Sequence, residues 1–219
     1  MAVDFKLYLI TDRNATKLPL VEAVKQALEG GVKAIQLREK DMPVRELLSL
    51  AKDMRQLTRE FGAKLFINDR IDVAVAIEAD GIHLGHQSIP CKAARSVVGN
   101  RMLIGVSTHD LAEARQAEAE GADLITAGPV FDTPSKRGMG SPMGTQKLGE
   151  IVREVNLPVF GLGGVNGKNL GSVLYTGARG VAMISAIMRA NDIKKTAGDM
   201  MEMVRLMDQM VCISCKPRE

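Results

Sequence analysis

Two cations on alternate positions at the end of an apolar run are the first sign of chemistry in this 219-residue chain. They are Arg38 and Lys40, in Gln36-Leu37-Arg38-Glu39-Lys40. On an extended strand, residues two apart project the same way, so Gln36 and Arg38 share a direction. An arginine turned toward the inside of a fold needs an anionic partner, a carboxylate or a phosphate. Asn68 and Asp69 end another apolar run and supply one amide and one carboxylate. Asp69 is a candidate Mg2+ ligand, because Mg2+ commonly takes one or two carboxylates and completes its shell with phosphate oxygens and water. Pairing of Asp69 with Arg38 or Lys40 is the alternative.

Anion-binding chemistry recurs later in the chain. Gly161-Leu162-Gly163-Gly164-Val165 and Ala182-Met183-Ile184-Ser185-Ala186 follow the seventh and eighth apolar runs. Glycine lets main-chain N–H groups come close to a phosphate, and Ser185 adds a hydroxyl. A plain tight turn needing φ > 0 is the competing reading. After the sixth run comes Gly128-Pro129-Val130-Phe131-Asp132-Thr133-Pro134-Ser135-Lys136-Arg137-Gly138, a loop that runs to about Gly144. Thr133, Ser135 and Lys136 can wrap a second anion with charge-assisted hydrogen bonds. The loop is longer than the usual connection, which suits a lid; a merely solvated loop is the alternative. His83 falls inside a run and reads as a satisfied core residue, whereas His86 and His109 fall just after runs, where they could move protons.

What must position these residues is legible in the runs themselves. Leu7–Thr11, Ala34–Leu37, Lys64–Ile67, Gly81–Leu84, Leu103–Val106, Leu124–Ala127, Val159–Leu162 and Gly180–Ile184 are short and continuously apolar or β-branched, as buried parallel strands are. Helical periodicity fills the intervals at Leu18–Glu29, Val44–Phe61, Leu111–Glu120, Thr145–Val155 and Ala197–Met210. Gly30-Gly31, Gly62-Ala63, Gly121-Ala122 and Gly177-Ala178 stand where helices must stop. Eight strands alternating with helices predict a single (β/α)8 TIM barrel over residues 1–219, its core about 6–190 and a C-terminal helix about 192–211 before a short tail. A doubly wound open sheet is the runner-up, but its Gly-x-Gly-x-x-Gly turn after the first strand is missing. In a barrel, chemistry sits in the loops after each strand, and every run here is followed by polar or glycine residues: Thr11-Asp12-Arg13, Arg38-Glu39-Lys40, Asn68-Asp69-Arg70, Gly85-His86-Gln87-Ser88, Ser107-Thr108-His109, the long loop, Gly163-Gly164 and Ser185.

Composition narrows the partners. Net charge is +3 with no basic block, and aromatics are 3% with no Trp, so neither a nucleic-acid surface nor a stacking platform is expected. With so few aromatics, the core is expected to be filled by Ile, Leu, Val, Ala and Met. No apolar run is long enough to span a bilayer, and an odd count of three Cys without a leader points to a reducing cytoplasm. Cys212 and Cys215 read as tail thiols, and a zinc site on the histidines lacks ligand spacing.

Taken together, Tyr8-Leu9-Ile10-Thr11-Asp12-Arg13, Gln36-Leu37-Arg38-Glu39-Lys40, Ile67-Asn68-Asp69-Arg70, Asp80-Gly81-Ile82-His83-Leu84-Gly85, Gly105-Val106-Ser107-Thr108-His109, Gly128-Pro129-Val130-Phe131 with Thr133-Pro134-Ser135-Lys136, and Gly161-Leu162-Gly163-Gly164 resemble the thiamine phosphate synthases. The match covers about residues 6–190 in order, and the thiazole tautomerases are relatives with much of the same site. The resemblance implies a transferase in which a hydroxymethylpyrimidine diphosphate ionises and a thiazole phosphate nitrogen captures the cation, releasing pyrophosphate. It places pyrophosphate and Mg2+ contacts on Arg38, Lys40, Asn68, Asp69, Ser107 and Lys136, with Gln36 near the pyrimidine. Thiazole phosphate contacts fall on Thr133, Ser135, Gly164, Ile184 and Ser185. His109 matches the proton-shuttling His of the tautomerases and is present in both branches.

One segment departs from the synthase pattern Gly-Gln-x-Asp. Here it reads Gly85-His86-Gln87-Ser88, so Ser88 replaces the second Mg2+ carboxylate. That Ser resembles the tautomerase branch, while Lys40, Asp69 and Lys136 resemble the branch that handles pyrophosphate. The synthase leads. A thiazole tautomerase, and a non-catalytic binder of phosphorylated ligands, stay open. A Schiff-base aldolase is disfavoured, since Lys33 and Lys64 sit at strand starts. Expected partners are small phosphorylated pyrimidine and thiazole substrates, with a homo-oligomer allowed and no nucleic acid or membrane.

Overall fold

The computed structural model describes residues 2–133 and 141–214, with side chains described as far as Met210. Eight parallel strands close on themselves in chain order: β1 Leu7–Ile10, β2 Ala34–Leu37, β3 Lys64–Asn68, β4 Gly81–Leu84, β5 Leu103–Thr108, β6 Leu124–Ala127, β7 Val159–Leu162 and β8 Gly180–Met183. The seam is β1 against β8, with Tyr8 opposite Ala182. Around them run α1 Leu20–Glu29, α2 Val44–Glu60, α3 Ile71–Ala76, α4 Cys91–Val98, α5 Leu111–Ala119, α6 Gly144–Glu154, α7 Leu170–Leu174, α8 Ser185–Met188 and α9 Ile193–Ser214. The expected TIM barrel is the one observed. Strand bounds differ from the expected ones by no more than a residue or two, and α9 begins within a residue of the C-terminal helix expected from about 192, four residues before its periodic stretch at Ala197. Gly31, Gly62, Gly121 and Gly177 have φ of 98°, 58°, 88° and 88°, the left-handed stops expected of them.

The strands bury both faces, as their mostly apolar character requires. Outward side chains such as Leu9, Ile35, Ile67 and Ile82 pack under the helices. Inward ones form a second cluster of Phe5, Tyr8, Ile10, Ala34, Phe66, Leu103, Leu124, Phe160 and Ala182. The cluster under the helices is aliphatic, as expected, and this inner cluster is the exception. Of five Phe and two Tyr in the chain, Phe5, Tyr8, Phe66 and Phe160 meet here, with Phe5 stacked on Phe160 at 5.1 Å and Tyr8 edge-on to Phe66 at 5.2 Å. Scarce aromatics are spent where a barrel axis needs wide, flat fillers.

Two residues further along several strands, the inward positions turn polar: Gln36 after Ala34, Asn68 after Phe66 and Thr126 after Leu124, with His83 beside them on β4. All four are buried. The lumen is therefore apolar toward the N-terminal ends of the strands and hydrogen-bonded toward their C-terminal ends, where the loops begin. No helix among the described residues is long and apolar enough to cross a membrane.

Candidate active site

A pocket opens over the C-terminal ends of β5 to β8. It is lined by Ser107, Thr108, His109, Thr126, Gly128, Pro129, Thr133, Leu162, Gly163, Gly164, Val165, Ala182, Met183, Ile184 and Ser185. Six residues singled out from sequence meet in it: Ser107, His109, Thr133, Gly164, Ile184 and Ser185. Gly163 and Gly164 make the β7 turn at φ 97° and 66°. A Cβ on Gly163 would lie 2.7 Å from the Pro129 ring, and one on Gly164 would lie 2.6 Å from the Asp132 carbonyl. Only a bare backbone lets the two loops lie this close. Phe131 N–H donates to Gly163 O at 3.0 Å and Val130 N–H to Leu162 O at 2.8 Å, which seats Thr133 beside the glycine turn. The tight turn needing φ > 0 is present, and it lines the pocket where the phosphate of the other reading would bind. The N–H groups of Gly164 and Ser185 donate to nothing among the described residues and are available to a ligand. Ser135 and Lys136 lie outside the described residues, so the far part of the long loop is left to sequence alone.

The second set, Gln36, Arg38, Lys40, Asn68 and Asp69, stands across the mouth at the ends of β2 and β3 and does not line that pocket. The expected alternative of Asp69 pairing with Arg38 or Lys40 is not what the side chains do. Asp69 Oδ2 accepts from Asn68 Nδ2 at 2.7 Å, and Oδ1 accepts from the Ser88 hydroxyl. Neither Arg38 nor Lys40 forms an ion pair with any described residue. Arg38 is half-buried and Lys40 exposed, so neither cation is ion-paired within the described residues. Gln36 is buried, its Nε2 makes a long 3.4 Å bond to Asn68 Oδ1, and its Oε1 has no partner among the described residues. A buried acceptor left unpaired costs about 1–3 kcal/mol unless a donor arrives. That atom is a vacancy for an N–H group of a ligand.

Ser88 falls where the sequence departure predicted, against the one carboxylate. Its hydroxyl donates to Asp69 and accepts from Gly85 N–H at 2.6 Å. Asp69 itself is held at φ 60°, its N–H on His83 O at 3.0 Å. Among the described residues no group of three or more His, Cys, Asp or Glu converges as a metal cage. The donors present are hard oxygens around a single carboxylate. They fit a cation such as Mg2+ that brings most of its shell with it as phosphate oxygens and water, and do not fit a site that would hold one unaided.

The histidines divide three ways. His86 is exposed and lines nothing. His109 is latched to the first turn of α5: Glu113 Oε2 accepts both its N–H at 2.8 Å and Nδ1 at 2.9 Å, while Glu113 N–H donates to the capping Asp110 Oδ1 at 2.8 Å. With Nδ1 engaged, Nε2 is the nitrogen left for the pocket. His83 is 2% exposed and bonds Ser107 Oγ through Nε2 at 3.0 Å. Burial pushes its pKa down to about 3, with Asp69 opposing and Arg38 reinforcing the shift. It stays neutral.

Sequence reasoning missed several residues that hold the site together. Glu39, 6% exposed, accepts from Thr11 Oγ1 at 2.7 Å and from Arg13 Nη1 at 3.2 Å, while Arg13 also grips Asp41 at 2.9 Å. Thr11 Oγ1 in turn accepts Arg38 N–H at 2.9 Å, which fixes the strand end that carries both free cations. The Asp110-x-x-Glu113 spacing of a capping box was readable and would have found the His109 partner. Cys91 is a buried free thiol, its pKa pushed up to about 11 chiefly by burial. The Cys212 side chain and Cys215 fall outside the described residues.

Comparison with known proteins gives a consistent set. The family model described as thiamine monophosphate synthase matches residues 7–187. A relative from Geobacter sulfurreducens is 51% identical over 196 residues, covering 89% of this chain and 92% of its own. Thiamine-phosphate synthase of Moorella thermoacetica is 44% identical over 196 residues, covering 90% and 93%. Among solved structures, thiamine phosphate pyrophosphorylase from Pyrococcus furiosus superposes with a TM-score of 0.87 at 43% identity, covering 93% of this chain and 96% of that one.

Proposed function

The chain belongs to the thiamine monophosphate synthase family, and from that membership we propose that it is a transferase joining hydroxymethylpyrimidine diphosphate to thiazole phosphate with release of pyrophosphate. The observation that carries the reading is the pair Arg38 and Lys40, cations without ion-pair partners among the described residues, across one barrel mouth from a glycine-turn pocket. Two anions would thereby be held on opposite sides of a single opening.

On the β2–β3 side, Arg38 and Lys40 would bind the diphosphate, joined by Ser107, by Asn68 and by Lys136 of the long loop. Gln36 Oε1, buried and unpartnered, would take the amino group of the pyrimidine. On the β6–β8 side, Thr133, Ser135, the N–H of Gly164 and the Ile184-Ser185 segment would bind the thiazole phosphate. Holding two reactants in register is worth several kcal/mol of the barrier, because a bimolecular encounter becomes an internal one. The pyrimidine cation forms as the diphosphate leaves, so cations fixed on the departing oxygens stabilise charge where it develops. Mg2+, when bound through Asp69 and phosphate oxygens, supplies further neutralisation of the leaving pyrophosphate.

The tautomerase alternative rests on Ser88; His109, whose Nδ1 is taken by Glu113, would be its proton shuttle but is common to both branches. One assay separates the readings. Mixing both phosphorylated precursors with the protein should release pyrophosphate, faster with Mg2+ than without it. Absence of pyrophosphate at any metal concentration would remove the transferase.

A further inference from the structure

Ser107 sits between two layers of the molecule: its side chain lines the pocket, and its oxygen touches the buried lumen beneath. Below it, three polar side chains have nowhere to go but one another. Tyr8, 0% exposed in the aromatic cluster, meets His83 Nδ1 at 3.4 Å and no other polar group. His83 Nε2 reaches Ser107 Oγ at 3.0 Å. Thr126 Oγ1 lies 3.4 Å from Ser107 Oγ and 3.5 Å from His83 Nε2. The fit is steric as well as polar, because a Cβ on Gly105 would fall 2.6 Å from His83 Nδ1.

Donor counting fixes the direction of this chain. A buried phenol O–H needs an acceptor, and His83 Nδ1 is the one within reach. A neutral imidazole that accepts at Nδ1 carries its hydrogen on Nε2. That N–H points at Ser107 Oγ, and the Thr126 hydroxyl donates to the same oxygen. A hydroxyl oxygen has two acceptor sites and one hydrogen. With both acceptor sites filled from below, the Ser107 hydrogen is left to point outward.

We propose that His83 is a positioning residue: as the Nε2–H tautomer set by Tyr8, it acts with Thr126 to saturate the Ser107 oxygen, so that the Ser107 O–H faces the pocket as a fixed donor to the diphosphate leaving group. The ligand identity rests on the transferase reading; the wiring does not. A serine aimed by its surroundings loses no rotational freedom when the anion arrives, which is the advantage of preorganisation. The reversed wiring, with Nδ1–H on Tyr8 and Ser107 donating to Nε2, would leave only an oxygen lone pair toward an anion and would repel it.

The chain has three histidines, so 15N labelling of histidine gives a spectrum simple enough to assign. The expected result is a pyridine-type Nδ1 and a pyrrole-type Nε2 for His83. Binding of inorganic pyrophosphate in magnesium chloride, followed by calorimetry, supplies the second readout. Tyr8→Phe keeps the ring packing and removes the donor; it should weaken pyrophosphate roughly threefold to tenfold, the scale of one hydrogen bond. In a Ser107→Ala background the same change should cost less than about twofold, since there is no hydroxyl left to aim. A packing role alone would make the two losses multiply. A pyrrole-type Nδ1 in the unaltered protein, or multiplying losses, overturns the proposal. If pyrophosphate fails to bind the unaltered protein, the transferase reading falls with the assigned ligand, and the nitrogen spectrum still decides the wiring.

Discussion

Ser88→Asp restores a second carboxylate beside Asp69, and its consequences are opposite with and without metal. In the unliganded protein the Ser88 hydroxyl donates to Asp69, so the substitution exchanges an attractive contact for two like charges. At about 4 Å, like charges repel by about 1 kcal/mol at the dielectric of water and about 4 kcal/mol at an effective constant of 20. Both side chains are half-buried and open to the mouth, and Gly85 N–H remains as a donor for the new carboxylate. The cost should therefore lie toward the lower figure, about 1–2 kcal/mol. With Mg2+ at about 2.1 Å, a new unit negative charge gains about 4 kcal/mol at the dielectric of water. Subtracting the repulsion leaves about 2–3 kcal/mol, or roughly 30- to 150-fold tighter metal binding. Calorimetric titration of Mg2+ without substrate reads the affinity, and thermal unfolding with and without Mg2+ reads the stability. The variant should melt lower than the unaltered protein in chelator and regain the loss in millimolar Mg2+. Pyrophosphate release should rise at limiting metal and converge at saturation, because mass action fills even a weak site. Unchanged Mg2+ affinity would refute the placement of a cation between Asp69 and Ser88.

Lys136→Ala should lower kcat more than it raises KM, since a cation on departing pyrophosphate acts mainly in the transition state; an unchanged kcat in steady-state assays would remove Lys136 from the mechanism. Gly164→Ala places a Cβ 2.6 Å from the Asp132 carbonyl at φ 66°, so KM for thiazole phosphate should rise by about tenfold or more, with a smaller change for the diphosphate substrate. Equal changes in both Michaelis constants would mean that the glycine turn does not bind thiazole phosphate. His83 makes stability fall in acid. Its folded pKa is depressed to about 3, so its contribution is intact above the unfolded value near 6.5 and is lost as pH drops from there toward 3. Denaturant unfolding of His83→Gln should lose less stability across that window than the unaltered protein, by on the order of 3 kcal/mol. Parallel pH curves for the two proteins would contradict the buried neutral state.

Much of the fold was legible because a parallel barrel has a repetitive sequence signature. Runs such as Ala34–Leu37 and Val159–Leu162 are buried on both sides, so they read as short, nearly continuous apolar stretches, interrupted in the first only by the inward Gln36. Legibility failed where burial and polarity coincide. His83 reads as a core histidine from its place in Gly81–Leu84, and it is one, yet its ring also forms the underside of Ser107. Nothing local distinguishes the two, since the partner hydroxyl comes from another strand. The same limit hid Glu39, which reads as a loop carboxylate beside Arg38 and proves to be a buried anchor for Thr11 and Arg13. Short helices α3, α7 and α8 carry too few turns to set up a periodicity and were invisible one by one.

The departure at Ser88 was legible as a missing acid, whereas its compensation required three dimensions. A carboxylate pair at that place would hold a cation before substrate arrives; a carboxylate bonded to a serine holds none until the hydroxyl is displaced. Asp69 is kept on the mouth by Asn68, by Ser88 and by its own N–H on His83 O, so its position does not depend on metal. Arg38 depends on metal no more than Asp69 does, since Thr11 and Glu39 fix its strand end. Under the transferase reading, the protein thus presents the two cations first, on a strand end held by its backbone, and recruits the divalent ion with the diphosphate, as an ordered sequence rather than a preloaded site. Initial rates should then show Mg2+ acting through the metal–diphosphate complex, with free Mg2+ beyond that complex giving no further activation. Activation that tracks free Mg2+ at fixed complex would instead require a preformed cation site, which a single carboxylate bonded to Ser88 does not supply.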